Sequence, residues 1–387
     1  MPVAACVPAE RLRDLTSSAI RDILAVTRRP GVLSLAGGLP ATGGLPVERL
    51  RVVAGGLVGD DLQYAPTEGL EELRVWIAGR LQAMGRDLGP DDVLVTSGSQ
   101  QALSLVATAW VDPGDRVAID APGYLGAIQA LTPSQPTFDP IVVDRDGMRV
   151  DGVGGEHRLA YTVTESSNPS GATLADERRA RLGATSAQLG VVVVEDRAYD
   201  GLAFAGEWAR PRPSIGADGG QVLTLGSLSK VLAPGLRVGW VAGPSHLLEP
   251  IRRAKQAADL QASTLTQRLA VDLLADEEWF AGHVAGVVVH LSRNADALMD
   301  ALDRHLPGRV ELAAPTGGMF AWARVPGVDT TAWLERAVAH DVAFVPGAAF
   351  GATPHARAEL ADHLRLSYAT LDPATIDDAV RRLAVSL

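Results

Sequence analysis

The chain has 387 residues, a formal net charge of −11 and an apolar fraction of 47%. This length fits one large domain or two unequal ones, and the acidic balance argues against a nucleic acid or a membrane surface as a partner. The single cysteine excludes an intrachain disulfide, and no apolar run reaches the roughly 20 residues that span a bilayer. Residues 1–9 lack the pattern of a signal peptide, so we expect a cytoplasmic protein.

Helical and strand-like segments alternate from about residue 69 to residue 245, after an irregular Gly/Pro-rich segment at 31–46. The spacing of apolar residues predicts helices over 69–84, 99–110 and 175–189. The predicted strands are 93–95, 116–119, 159–163, 191–194, 222–225 and 238–242. Continuous β-branched runs such as 191–194 are typical of parallel strands buried on both faces. The alternation predicts an α/β fold with a mostly parallel sheet sandwiched by helices.

The pattern changes after residue 245. The sequence predicts long helices over 250–274 and 278–305, short strands near Val310, Phe320 and Leu364, and a closing helix from Pro373. These elements indicate a smaller α+β domain. We therefore expect an N-terminal segment (1–45) packing with the small domain, a large domain (46–245) and a small C-terminal domain (246–387).

Only two of the 35 basic residues are lysines, Lys230 and Lys255. Lys230 lies in a Ser- and Gly-rich turn at 227–237, whereas Lys255 lies on a predicted helix and is expected at the surface. A lysine amine can lose its proton and attack a carbonyl, which arginine cannot do. Lys230 is therefore a candidate covalent catalyst. Taken alone, its isolation is better explained by a compositional bias toward arginine, so the case depends on the neighbouring motifs.

Four polar loops follow predicted strands, at the edge where open α/β sheets bind ligands. They are 96–101, 168–171, 195–199 and the lysine turn. Each alone has an ordinary explanation as a helix cap, a turn or a solvated strand end. Glu195 and Asp196 are adjacent on one strand and point to opposite faces, so only one of these carboxylates can enter a site.

Together the four loops meet the needs of pyridoxal 5′-phosphate. Lys230 would hold the aldehyde as an internal aldimine and then serve as general base, and Asp196 would keep the ring nitrogen protonated. Asn168 and Tyr199 would bind the phenolic oxygen. The candidates for the phosphate site, which needs a cation, hydroxyls and a helix N-terminus, are Ser99, Gln100, Ser227, Ser229 and Arg237.

With these motifs the chain resembles the fold-type I pyridoxal-phosphate-dependent aminotransferases of class I/II. It is most similar to the branch of 2-aminoadipate and kynurenine aminotransferases and the C-terminal domains of MocR-type regulators. The resemblance runs nearly from end to end. The strings that carry it occur in the family's order and lie at 34–40, 62–69, 96–101, 122–124, 168–171, 196–199, 227–239 and 364–367.

The resemblance implies further roles. Tyr124 would stack on the pyridine ring, and Arg365 would bind the substrate carboxylate. Gly38 would lie near the substrate. Tyr64 would reach the partner subunit's cofactor phosphate, so a homodimer would share its active sites. Arg21 matches an arginine that contacts the substrate side chain, although a solvated helix face explains it equally well.

Two loops depart from the branch. Residues 165–167 replace an aromatic residue and a glutamine, and residues 197–198 replace a small or acidic residue and a proline. Both loops are expected close to the cofactor. The departures leave cofactor binding intact but make the substrate range and the reaction type less certain.

We therefore expect a homodimeric aminotransferase (EC 2.6.1 type) that moves an amino group between an L-amino acid and a 2-oxo acid by a ping-pong route. The altered loops keep open a second hypothesis, a pyridoxal-phosphate enzyme of elimination, cyclisation or decarboxylation in a specialised biosynthetic pathway. A regulator's effector domain is disfavoured, because only about 30 residues precede Gly37, too few for a DNA-binding domain. No metal is expected, since His283 and His290 lack a third ligand.

Overall fold

The computed structural model describes residues 8–13, 15, 29–204, 212–217 and 219–387. Its strands are β1 (Leu33–Ser34), β2 (Val93–Thr96), β3 (Arg116–Ala121), β4 (Thr137–Asp144), β5 (Gly147–Met148), β6 (Leu159–Val163), β7 (Val192–Asp196), β8 (Val222–Ser227), β9 (Gly239–Ala242), β10 (Glu311–Leu312), β11 (Phe320–Arg324), β12 (Val342–Ala343), β13 (Val345–Pro346) and β14 (His363–Ser367). Its α-helices are α1 (Val47–Ala54), α2 (Glu71–Ala83), α3 (Ser99–Trp110), α4 (Leu125–Leu131), α5 (Asp176–Leu189), α6 (Ser245–Ala258), α7 (Thr264–Leu274), α8 (Glu277–His305), α9 (Thr330–Ala339), α10 (Pro354–Glu359) and α11 (Pro373–Ser386).

An eight-stranded sheet has the order β2-β9-β8-β7-β6-β3-β4-β5. The five neighbours from β8 to β4 are parallel, and β9 is antiparallel to both β2 and β8. Because β2 therefore runs in the same direction as β8, the carboxyl ends of β2, β3, β6, β7 and β8 share one edge. The predicted α/β fold with a mostly parallel sheet is confirmed, and this edge is where such sheets bind ligands.

The core lies on both faces of this sheet. Every residue of β6, β7 and β8 is buried. Val193 packs in one apolar cluster with Leu182 of α5, while its neighbour Val194 packs in another with Leu223 and Leu225. Adjacent strand residues thus serve opposite faces, as parallel strands covered on both sides require.

The C-terminal part contains a four-stranded antiparallel sheet of order β10-β11-β14-β13. Strand β1 pairs in parallel with β12, Leu33 opposite Val342, and so joins the segment before residue 45 to this part of the chain. The division into the segments 1–45, 46–245 and 246–387 remains a prediction. No helix within the described residues is long and apolar enough to cross a membrane.

Two expectations about residues 250–274 are wrong. The single predicted helix is interrupted between α6 and α7, where Leu260 adopts a left-handed conformation (φ 64°) that a helix cannot continue through. Lys255 is not at the surface. Its side chain is fully buried and its Nζ lies 2.7 Å from Oδ1 of Asp259, one helical turn away.

Candidate active site

Lys230 lies in the turn that follows β8. Its Nζ donates a hydrogen bond to the carbonyl oxygen of Gly38 at 2.8 Å, so the two residues are in contact. Burial, with smaller contributions from the charges of Arg365 and Arg237, lowers the pKa of Lys230 to about 8. At pH 7 about one amine in ten is then neutral, compared with fewer than about one in a thousand for an ordinary lysine. A lysine with a lowered pKa of this kind is suited to act as a nucleophile or a base.

Asp196 is the last residue of β7 and is buried. Tyr161 donates its hydroxyl proton to Oδ2 at 2.7 Å, and the Ala198 amide donates to Oδ1 at 3.0 Å. Burial raises the pKa of Asp196, and these two hydrogen bonds only partly oppose the shift. A buried carboxylate of this kind is stabilised by a cationic partner, which the described protein groups around it do not supply.

Asn168 links Tyr199 to Arg365. Its Nδ2 donates to the Tyr199 hydroxyl at 3.2 Å, and its Oδ1 accepts from Arg365 Nη1 at 2.7 Å. Arg365 also donates to the Ala36 carbonyl and lies 4.2 Å from the centre of the Phe320 ring. These contacts join residues that are far apart in sequence into one site.

Arg365 is poised for an anion. Its side chain is 1% exposed, and burial lowers its pKa to about 10. Its Nε has no hydrogen-bond partner, and no carboxylate pairs with it within the described residues. Burying a guanidinium without a counter-charge costs free energy, so a bound carboxylate would stabilise Arg365.

A second anion site surrounds the start of α3. Gly239 of β9 is paired with Ser227 on one side and with Thr96 on the other. An added Cβ at Gly239 would lie 2.7 Å from the Ser99 amide nitrogen, so only glycine permits this approach. Gly98 lies against the Arg237 guanidinium, which donates to the Ser97 carbonyl at 3.1 Å.

Hydroxyls complete this second site. The Ser227 hydroxyl donates to the Ser229 hydroxyl at 2.8 Å, and both residues are buried. The Gln100 side chain donates to the Gly126 carbonyl at 2.8 Å, and Gly126 also lies against the Tyr124 ring. A cation, two hydroxyls and the N-terminus of a 12-residue helix together favour a phosphate group.

The other expected residues differ in their placement. Tyr124 lies beside Gly126, whose carbonyl accepts from Gln100. Burial and the charge of Asp196 raise the pKa of Tyr124 to about 12, while Arg365 and Arg237 oppose the rise. Tyr64 is 77% exposed in the single chain. Arg21 lies outside the described residues. No group of three or more His, Cys, Asp or Glu in the described part of the chain could hold a metal ion.

Sequence reasoning missed Tyr161 and Asp120. Asp120 accepts from the Val163 amide at 2.9 Å, and burial raises its pKa to about 7, with Asp196 adding to the rise. Its Oδ1 has no partner among the described groups. The available signal was a polar residue inside an otherwise apolar strand, because a buried hydroxyl or carboxyl must find a partner.

The two departing loops contact each other. Arg197 Nη2 lies 3.2 Å from Oε1 of Glu165, and Arg179 Nη2 lies 2.7 Å from the same oxygen. Arg197 also pairs with Glu195 at 3.0 Å and with Asp200 at 3.1 Å. Burial alone would raise the pKa of Glu195, but the charges of Arg197 and Arg179 hold it below its usual range. We call these five residues, Glu165, Arg179, Glu195, Arg197 and Asp200, the buried ion network.

The uncompensated groups fit one cofactor. Asp196 requires a cation and the Arg237 cradle requires an anion, while Lys230 offers a partly neutral amine. Pyridoxal phosphate carries a protonatable ring nitrogen for Asp196, a phosphate for the Arg237 cradle and an aldehyde for Lys230. The fold and this site define a pyridoxal-phosphate-dependent enzyme of fold type I.

Comparison with known proteins places it more closely. Residues 41–383 match the family profile described as aminotransferase class I and II. The 2-aminoadipate transaminase of Thermus thermophilus is 38% identical over 96% of this chain and 94% of its own length. Aromatic-amino-acid aminotransferase 1 of Thermococcus litoralis is 34% identical over 98% of this chain and 93% of its own.

Solved structures agree with the sequence comparisons. The Thermus thermophilus α-aminoadipate aminotransferase, solved with N-(5′-phosphopyridoxyl)-L-leucine, superposes with a TM-score of 0.88 at 36% identity, covering 98% of this chain and 97% of that one. The chain belongs to the class I and II aminotransferase family. It is a pyridoxal-phosphate-dependent transferase that moves amino groups between amino acids and 2-oxo acids.

The buried ion network generates a stability prediction. Arg197→Met removes a cation that Glu165, Glu195 and Asp200 share, although each of them keeps one other arginine partner. The change should lower the free energy of unfolding by about 3 kcal/mol in urea denaturation. Replacing Glu165 and Arg197 together by glutamine should cost less than the sum of the two single changes. Arg253→Met, at a 74% exposed ion pair, is the matched control and should change little. Equal effects of Arg197→Met and Arg253→Met would contradict the role of burial.

The lowered pKa of Lys230 generates a pH prediction. Because the neutral amine is the reactive form, the rate at which apoprotein captures pyridoxal phosphate should rise about tenfold per pH unit below pH 8 and level off above it. Arg365→Met removes a nearby positive charge and should move this midpoint upward. Stopped-flow absorbance measures the rate, and N-α-acetyl-lysine provides the control for titration of the reagent itself. A rate still rising steeply at pH 10 would show that Lys230 is not perturbed.

Proposed function

We propose that Lys230, Asp196 and Arg365 divide the work of amino transfer among a reactive amine, a ring-nitrogen counter-ion and a carboxylate anchor. The observation that carries this proposal is that two sets of contacts meet at one segment. Lys230 bonds to Gly38, and Arg365, which is linked through Asn168 to Tyr199, bonds to Ala36 two residues before it. This arrangement brings a partly neutral amine and an unpaired guanidinium into one buried site. When bound, pyridoxal phosphate supplies an electron sink for negative charge at the substrate Cα.

Lys230 would hold the cofactor aldehyde at rest and move the substrate proton once its amine is released. A pKa of about 8 suits both tasks, since a general base works best when its pKa is near the working pH. The hydrogen bond to the Gly38 carbonyl gives the amine a fixed position while it is not covalently engaged. Proton transfer at Nζ therefore needs no large movement of the side chain.

Arg365 would bind the substrate α-carboxylate with Asn168 as its positioning residue. The bond from Nη1 to Asn168 fixes the guanidinium plane, and the Phe320 ring lies beneath it. Asn168 also donates to Tyr199, so the group that orients the carboxylate anchor is tied to a residue assigned to the cofactor phenolic oxygen. Orientation of substrate and cofactor would thus depend on one amide.

The remaining cofactor contacts follow from the second anion site. The phosphate would be held by Arg237, by the Ser227 and Ser229 hydroxyls, and by the backbone at Ser99 and Gln100. Asp196, held by Tyr161, would keep the ring nitrogen protonated, and Tyr124 would stack on the ring.

We further propose a homodimer with shared active sites. Tyr64 is a large side chain that is 77% exposed in the isolated chain, within a segment of Gly- and Asp-rich turns. An exposed aromatic side chain with a polar tip suits an interface in which the ring is covered and the hydroxyl meets an anion. The partner subunit's cofactor phosphate is the anion proposed here.

The donor class does not follow from the relatives. One of those compared is named for 2-aminoadipate and another for aromatic amino acids, and they are similarly distant from this chain. The acidic and the aromatic side chains place opposite demands on a pocket. The choice between them must come from this chain's own residues.

The role of Lys230 has a direct test. Borohydride reduction of the cofactor-loaded protein, followed by peptide mass spectrometry, should place the pyridoxyl adduct on Lys230 and not on Lys255. Lys255 is a built-in control, because it is buried and paired with Asp259. Lys230→Ala should also lose conversion of the cofactor to its amine form by an L-amino acid without an oxo acid. An adduct on Lys255, or full conversion by Lys230→Ala, would refute the assignment.

The shared active site has a complementation test. Tyr64→Ala and Lys230→Ala should each be strongly impaired as homodimers. A hybrid dimer would contain one site with both defects and one intact site, so mixing should restore about a quarter of wild-type activity. If Tyr64 served its own subunit, no intact site could form and mixing would restore nothing. Mixing Lys230→Ala with Asp196→Ala, both assigned to the same subunit's site, is the matched negative control.

A further inference from the structure

A cavity of about 510 Å³ opens beside Lys230. Its walls come from the segment after Gly38, from the lysine turn and from helix α8. A space of this size can enclose most of a small ligand. Because Lys230 lies in its wall, a side chain attached to the carbon whose proton Lys230 moves can extend into it.

Two pairs of glycines leave this cavity wide. Gly282 and Gly286 lie one turn apart on α8, and Gly43 and Gly44 lie on another wall. A Cβ at any of these positions would meet no heavy atom within 4 Å. They differ from Gly239, where a close backbone contact excludes a Cβ. Glycine is unfavourable inside a helix, and at this pair on α8 the absence of a side chain leaves the cavity space open.

The rest of the lining is largely apolar. Leu45, Leu232, Val287 and Met319 contribute side chains to it. Among the described residues of the lining, Lys230 is the only one with an aspartate, glutamate, lysine or arginine side chain. Lys230 is engaged by the chemistry, so a second substrate carboxylate would be buried here without a cation of its own, which is costly.

His283 adds one specific polar group. Its imidazole is stacked on Trp279 and makes a hydrogen bond with the backbone of Val231, the residue after Lys230. Burial lowers the pKa of His283, and the bond to Val231 only partly opposes this, which favours the neutral ring. Nε2 is buried and has no partner within the described chain.

The tautomer of His283 follows from these contacts. The bond to Val231 raises the pKa of the imidazole, as an accepting carbonyl does, and Nε2 makes no bond. We assign the proton to Nδ1, the nitrogen that remains to face Val231, so that the buried and unpartnered Nε2 of the neutral ring is the acceptor. An acceptor attracts an N–H or O–H group and repels a carboxylate. His290, also in the lining, is already engaged, with Nε2 3.0 Å from the Ala369 carbonyl oxygen.

We propose that this cavity receives the side chain of the amino donor, that donors with a bulky aromatic side chain are preferred, and that His283 accepts a hydrogen bond from those that carry an N–H or O–H group. The inference rests on the proposed roles of Lys230 and Arg365. It deepens that function by naming the substrate class, and it assigns specificity to α8, an element outside the cofactor contacts.

A half-reaction without an oxo acid tests the donor class, because no second substrate then competes for the cavity. The measured value is the rate constant for conversion of the cofactor divided by the dissociation constant of the donor. This value should be about 30-fold or more higher for L-tryptophan, L-tyrosine and L-phenylalanine than for L-alanine, because the aromatic ring is buried. L-glutamate and L-aspartate should fall below the aromatic donors by a similar factor. Acidic donors equal to or better than aromatic ones would overturn the proposal.

Filling the cavity tests its location. Gly286→Leu should lower the values for the aromatic donors about 30-fold and affect L-alanine far less, with Gly286→Ala intermediate. Gly79→Leu is the matched control, since Gly79 is an exposed glycine on helix α2 whose Cβ would also meet nothing within 4 Å. Equal losses for L-alanine and the aromatic donors, or no loss for either, would place the side chain elsewhere.

Removing the acceptor tests the part played by His283. His283→Leu should lower the values for L-tyrosine and L-tryptophan about fivefold relative to L-phenylalanine, which has no group to donate. Because the readout is a ratio between donors in one preparation, a general loss of folding or of cofactor does not mimic it. An unchanged ratio would remove His283 from the proposal.

A binding measurement separates this inference from the proposed function. 3-Phenylpropanoate carries a carboxylate and a phenyl ring but no amine, and it should perturb the cofactor absorbance at lower concentration than glutarate. If it does so while no amino acid converts the cofactor, the proposed roles of Lys230 and Arg365 are wrong, but the aromatic preference of the cavity is supported. If amino acids convert the cofactor but glutarate binds better than 3-phenylpropanoate, the roles stand and the aromatic preference fails.

Discussion

The active site depends on charge that is buried without a full complement inside the protein. Asp196, Arg365 and Lys230 are enclosed, and burial shifts the pKa of each toward its neutral form. The charged forms of such groups are stabilised when a ligand supplies the opposite charge that the surrounding protein lacks. A cofactor with a cationic ring nitrogen and an anionic phosphate, together with a substrate carboxylate, completes the electrostatics. Binding and folding therefore favour the same arrangement, and the reactive amine results from that arrangement.

The sheet explains how these groups meet. Parallel strands bring their carboxyl ends to one edge, which places Asp196 and the residues after Thr96, Val163 and Ser227 together although they are distant in sequence. The antiparallel strand β9 contributes a glycine at this edge of the sheet. It inserts Gly239 between β8 and β2, where the missing side chain lets the Ser99 amide approach. Arg365 then arrives from the antiparallel sheet of the C-terminal part and bonds to Asn168.

Local patterns predicted most of the α/β part, because buried parallel strands have strong signals in sequence. The loops after those strands also supplied most of the residues proposed to bind the cofactor. The same patterns could not foresee the break at Leu260, which is a single backbone conformation, or the burial of Lys255, which depends on the partner Asp259. Tyr161 and Asp120 were missed because each is one polar residue within an apolar strand. The hydrogen-bond partner of each residue lies on a neighbouring strand of the sheet, so the local sequence does not reveal it.

The departing loops show why a difference in sequence need not be a difference in the site. Glu165 and Arg197 lie in separate loops, yet they form an ion pair with each other inside the buried ion network. Glu195 belongs to the same network and occupies the opposite face of β7 from Asp196. Alternation along a strand thus separates a charge cluster that supports the loops from a carboxylate that serves the cofactor. The two departing loops are thus joined to each other by an ion pair, on the opposite face of β7 from Asp196. Differences in substrate preference are then better sought in the cavity beside Lys230, whose walls come from other elements.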